Sequence, residues 1–252
     1  LDNKALRNKV RYSKLVCQFK EKDFYFKFVT KESIKMKLKQ HIEIGKGILE
    51  NLDNKALNEF GINRTTYLLG CIAPDLNCVY PAHRLWTTEK RFNRRLRQVN
   101  KATAKLKFVK SFRLGIITHY TCDYFCYAHN NESVGVRHKM YEANLYQFYQ
   151  SHLNELQNTS LRLQNIWLEN KRKSITDNIK NDTITVKEQC EIITEQVARM
   201  NKEYSSETDI NKNVGWETKI KQMQQDMEYA MFMSQHVIEM IIEPFKCVTT
   251  GV

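Results

Sequence analysis

The chain is poor in the two residues that break helices. Its 252 residues include 8 Gly and 3 Pro, which argues against many short turn-linked elements and for long helices. Alternating runs are scarce too. The one stretch that reads as a strand is 24–29, FYFKFV. No apolar run reaches the roughly 18 residues of a membrane-spanning helix. Near the start there is no leader-like apolar segment of about 7–15 residues with a small-residue cleavage site. The seven Cys are odd in number and irregularly spaced, so they read as reduced thiols in a cytoplasmic protein.

What is present is apolar content and positive charge. Hydrophobic residues make up 42%, a globular composition, and the net charge is +12. That charge fits an anionic partner such as a phosphorylated small molecule, a lipid surface or nucleic acid. It equally fits a plain bias toward Lys and Asn.

Helical patterning dominates from Met36 onward, where Ile42, Ile44, Ile48 and Leu49 form a stripe. Residues 64–72 read as a buried helix ending near Gly70, with a turn at Pro74. The basic run 88–110 reads as a surface helix or loop. Residues 111–127 are apolar nearly all round, which predicts a helix at the centre of the fold. A second long helix is expected over 135–172, a third capped by Asp182 or Thr183, and a last one from about Trp216 to Glu243. The class is all-α, a helical bundle. Residues 1–35 read as an N-terminal extension, weakly ordered or lying before the native start, and residues 36–252 as one helical domain.

Chemistry-bearing residues crowd into one stretch. Residues 119–142 hold three of the seven His. His119 and Asp123 are four apart, as are His138 and Glu142, and that spacing sets each pair on one helix face. Two donors one turn apart can close on a zinc ion at about 2.0–2.2 Å. His129 lies in the intervening turn. A single such pair reads as readily as a surface hydrogen bond. Two pairs, the first on an apolar helix, favour a metal, because Asp123 buried among apolar residues needs a cation or a hydrogen-bond network.

Taken in order, these residues resemble the bacterial zinc-dependent phospholipase C family, related to the fungal single-strand-specific zinc nucleases. The motifs are His119-Tyr-Thr-Cys-Asp123, then His129, then His138-Lys-Met-Tyr-Glu142. Upstream stand His41 in the first helix, GCIAPD ending at Asp75, and His83. The resemblance implies an all-helical bundle around two to three Zn2+ ions. His83, His119 and Asp123 would hold one ion, and His129, His138 and Glu142 a second. His41 would hold a third, bridged by Asp123, and Asp75 would act as base on the attacking water. Secreted members complete the third site with an N-terminal Trp, whereas the first Trp here is Trp86.

The activity implied is hydrolysis of a phosphodiester, with a phospholipid as substrate and transient contact with a membrane surface. Two alternatives stay open: a zinc nuclease, and a cytoplasmic metal-binding helical protein with weak or lost hydrolase activity. Cys122 and Cys126 flank the His119–Asp123 face and read as buried thiols. His152 and His236 read as ordinary helix residues.

Overall fold

A computed structural model describes residues 24–52, 54–76, 84–100, 107–130, 136–156, 161–178, 185–207 and 216–242. His83 and residues 1–23 lie outside them. Ten helices run through the described residues, with no strand among them. They are α1 (Phe24–Asn51), α2 (Asn54–Phe60), α3 (Arg64–Leu76), α4 (Leu85–Asn100) and α5 (Lys107–Tyr124). After these come α6 (Tyr127–Asn130), α7 (Val136–Leu156), α8 (Leu161–Asn178), α9 (Val186–Glu207) and α10 (Trp216–Ile242). No described helix is long and apolar enough to cross a membrane.

The expected central helix is α5. From Leu114 to Tyr124 every residue is buried, and α5 packs against α1, α3, α4, α6 and α10. Its closest partner is α3. There Gly70 faces Gly115, and the backbones nearly touch. A Cβ built on Gly115 would sit 2.0 Å from the Tyr67 carbonyl oxygen, and one on Gly70 would sit 2.1 Å from that of Phe112. No larger side chain fits either position without parting the helices. The Tyr67 hydroxyl, 2.9 Å from Thr118 Oγ1, ties the same pair together.

The start of α3 is specified locally. Asn63 caps it, its Oδ1 accepting from the Thr66 N–H at 2.9 Å. The Asn63 N–H in turn donates to Ser111 Oγ on α5 at 2.9 Å. Just before it, Gly61 takes a φ of 74°, the left-handed conformation that ends α2 at little steric cost.

Four element boundaries differ from the sequence reading. The run 24–29 is the start of α1, not a strand, and α1 continues through Met36. A lone strand would leave its backbone groups unpaired, whereas a helix pairs them internally. Helix α3 passes through Pro74 to Leu76, giving up the bond to the Gly70 carbonyl, and ends two residues later. The expected long helix 135–172 is two, α7 and α8, and α7 already departs from helical geometry at His152 (φ −122°, ψ 18°). Helix α9 is capped by Thr185, in a box with Glu188: the Thr185 N–H donates to Glu188 Oε2 at 2.7 Å, and the Glu188 N–H to Thr185 Oγ1 at 3.2 Å.

Candidate metal centre

The seven described donor residues come from five helices and meet at the α5 C-terminal half. His41 projects from α1, one turn before the buried Ile44 and two before the buried Ile48. Asp75 lies in the last turn of α3, and the Gly70–Gly115 crossing brings it to α5, where His119 and Asp123 share a face. His41 Nε2 lies 3.7 Å from Asp75 Oδ2 and 3.4 Å from Asp123 Oδ1. His119 Nε2 lies 3.7 Å from Asp75 Oδ1 and 3.1 Å from Asp123 Oδ2. The two imidazoles are 4.1 Å apart between centroids.

A second group adjoins the first. His129 on α6 and His138 on α7 both aim Nε2 at Glu142 Oε1, at 3.2 and 3.0 Å. Their rings stand perpendicular, with centroids 4.6 Å apart. Asp123 links the groups, since its Oδ1 is also 3.4 Å from His129 Nε2. His41, His119, Asp123, His129 and Glu142 are all buried, and His138 is partly exposed.

This donor set fits a divalent cation. Four ligands about 2.1 Å from one ion in a tetrahedron stand about 3.4 Å from each other, and the N···O separations here bracket that value. Two clusters, His41–Asp75–His119 and His129–His138–Glu142, each bring their ligand atoms within 4.8 Å of one another. Outer contacts support the same use. His119 Nδ1 lies 2.8 Å from the Cys71 carbonyl oxygen, which can only accept. The ring proton is therefore on Nδ1, and Nε2 carries the lone pair that faces the carboxylates.

Electrostatics point the same way. Burial acts to lower His41, but hydrogen bonding to Asp123 and Cys122 and the charges of Asp123 and Asp75 outweigh it, pushing the imidazole up to about 10. His119 is lowered, chiefly by burial and also by its cationic neighbour His41. Without a metal, His41 thus carries the positive charge that Asp75 and Asp123 demand. A cation seated among them would take over that role and release the proton.

Asp75, expected as the base, lies 3.7 Å from the Nε2 atoms of both His41 and His119. Asp123, expected beside His41, His83 and His119, contacts His41 and His119 and also His129, while His83 lies outside the described residues. Of the two thiols flanking the His119–Asp123 face, Cys126 is pushed up by burial, which keeps it protonated, and Cys122 Sγ lies 3.2 Å from Ser234 Oγ. His152 stacks on Phe148, and His236 contacts Glu239 and stacks on Trp167, all away from the cluster.

One carboxylate escaped the sequence reading. Asp226 on α10 is buried and lines a cavity of about 20 Å³ together with His41, Asp123, His129 and Glu142, room for about one water-sized occupant. No His, Cys or acid stands three or four residues from it in the sequence. The signal that could have found it is its place in the stripe Met223, Met227, Ala230, where an acid is out of keeping.

A family model described as zinc dependent phospholipase C matches residues 40–230. No curated protein and no solved structure matches the chain.

Proposed function

Because the chain belongs to the zinc-dependent phospholipase C family, we propose that it hydrolyses a phosphodiester bond, with a phospholipid as substrate. The observation that carries this reading is the meeting of His41, Asp75, His119, Asp123, His129, His138 and Glu142 in two adjoining groups that share Asp123. His119 and Asp123 would hold one ion; the further ligand that the resemblance implies, His83, lies outside the described residues. His129, His138 and Glu142 would hold a second. His41, sharing Asp123, would serve a third position.

When bound, zinc polarises phosphoryl oxygens and lowers the pKa of a coordinated water toward about 7. The residues supply the rest. Asp75, whose Oδ1 and Oδ2 face His119 and His41, takes the proton that the attacking water gives up. The water oxygen adds to phosphorus, the P–O bond to the glycerol side breaks, and the released glycerol oxygen takes up the proton that Asp75 accepted. The Cys71 carbonyl keeps His119 in one tautomer throughout. Burial of the donors excludes bulk water and strengthens every charge interaction among them. Neutral imidazoles leave the loaded site net positive, which suits an anionic phosphodiester.

The test is to offer the zinc-loaded protein a phosphatidylcholine analogue and single-stranded DNA in parallel. Hydrolysis of the analogue, abolished by a chelator and lowered about 10²- to 10⁴-fold in kcat by Asp75→Asn, is the expected result. Cleavage of DNA alone would move the substrate to nucleic acid. Inertness toward both, with zinc bound, would reject the hydrolase reading.

A further inference from the structure

Outside the donor set, the Asp226 carboxylate accepts four hydrogen bonds. Its Oδ1 accepts from the Tyr204 hydroxyl and the Gln222 amide, each at 2.7 Å. Its Oδ2 accepts from the Tyr127 N–H at 2.7 Å and the Tyr141 hydroxyl at 2.8 Å. The donors come from α6, α7, α9 and α10 itself, so one side chain fastens four helices together. A carboxylate 1% exposed is unfavourable to bury unless its lone pairs are met in this way.

Two of these donors bear directly on the second group. Tyr127 begins α6, the four-residue helix that carries His129. A helix that short has no stability of its own and keeps its place only through outside contacts. Tyr141 immediately precedes Glu142 on α7. The far end of α6 is pinned as well: the Asn130 amide donates to the carbonyl oxygens of Tyr124 and Cys126 at 2.7 and 3.0 Å. The Asn201 amide reaches the same Tyr124 oxygen at 2.5 Å. Asp226, His129 and Glu142 also line one cavity.

We propose that Asp226 is a positioning residue that sets His129 and Glu142 at ligand spacing before a metal arrives. The proposal rests on the reading of His129, His138 and Glu142 as a zinc site. Asp226 touches neither metal nor substrate. It acts through the Tyr127 N–H and the Tyr141 hydroxyl, and its loss loosens one group of donors and not the other.

The experiment compares the full chain with Asp226→Asn and Tyr141→Phe, using zinc itself as the probe. Zinc equivalents are counted by mass spectrometry and affinities measured by competition with a chromophoric chelator. Thermal melting of the zinc-free proteins is recorded alongside. Asp226→Asn is expected to weaken one class of zinc site by about 10- to 100-fold, the range for loss of an outer-sphere partner. Tyr141→Phe should act in the same direction by a smaller factor. In a His138→Ala background, where that group is already broken, Asp226→Asn should leave the remaining zinc affinity unchanged.

A merely structural Asp226 would lower the melting temperature while zinc affinities stayed put, and that result overturns the proposal. Should Asp226→Asn fail to fold, Tyr141→Phe decides, since wild-type zinc affinity in that variant is equally fatal. If the unmutated chain takes up no zinc, the zinc-hydrolase reading falls and this inference falls with it. Normal loading of the unmutated chain with unaffected variants sinks the inference alone.

Discussion

His119 Nδ1 and the carbonyl oxygen of Cys71 lie 2.8 Å apart, beside the close crossing of α3 and α5 at Gly70 and Gly115. Helix α3 comes within reach of α5 because Gly70 and Gly115 carry no side chains at the crossing. The same approach sets Asp75 opposite His119. Orientation of the ring and placement of the carboxylate are two results of one packing event.

Gly115→Ala should therefore harm both fold and site. Its methyl group would collide with the backbone of Tyr67 and Cys71, neither of which has a rotamer to move. Overpacking of this kind costs about 1–3 kcal/mol, and for a domain of this size each kcal/mol lowers Tm by about 2–4 °C. Zinc content should fall as well. Gly47→Ala is the contrasting variant. It meets nothing within 4 Å and lies inside α1, so it should hold or raise Tm. A calorimetric melt of both variants, with zinc counted beforehand, checks the pair.

Each donor group should lose metal on its own. His119→Ala and His138→Ala are each expected to lower the zinc count by about one equivalent, as removal of one ligand of three or four leaves an incomplete shell. His152→Ala, which alters a ring stacked on Phe148, should leave the count unchanged. Mass spectrometry under non-denaturing conditions reads all three. Unaltered stoichiometry in both donor variants would mean that these imidazoles are not ligands.

Asp226 should leave a mark on stability against pH. Burial raises its carboxyl to about 6 from 3.8, although hydrogen bonds from Tyr204, Tyr127, Gln222 and Tyr141 all act to lower it. The folded protein therefore holds this proton over a range in which the unfolded chain has lost it. The contribution of Asp226 is most favourable below pH 4, declines as pH rises from about 4 to 6, and is flat above that. Two pKa units correspond to about 3 kcal/mol at most. Urea unfolding of zinc-free protein at several pH values, with Asp226→Asn as the reference, should show wild type losing ground to the variant across that window. A difference independent of pH would contradict it.

Much of the architecture was legible from the residues. Scarce Gly and Pro together with the apolar stretch 111–127 pointed to an all-helical bundle around α5, and the structure has that arrangement. The i,i+4 pairs His119–Asp123 and His138–Glu142 were readable because helical periodicity alone puts their members together. Asp226 was not, for a plain reason. Three of its four donors sit 99, 85 and 22 residues away in sequence, and only tertiary packing unites them. Helix ends were the other blind spot. Thr185 with Glu188 is the stronger N-terminal signal than Asp182 or Thr183, since it satisfies two backbone donors at once. Pro74 misled because a proline costs a helix one bond without always ending it, and α3 runs two residues past it.

The glycine crossing leaves no slack between α3 and α5. Asp75 and His119 are spaced by main chain against main chain, so side-chain motion elsewhere in the bundle cannot gradually retune the gap between them. Warming the protein should keep this half of the pocket intact up to the temperature at which the two helices separate, and then dismantle it in a single step.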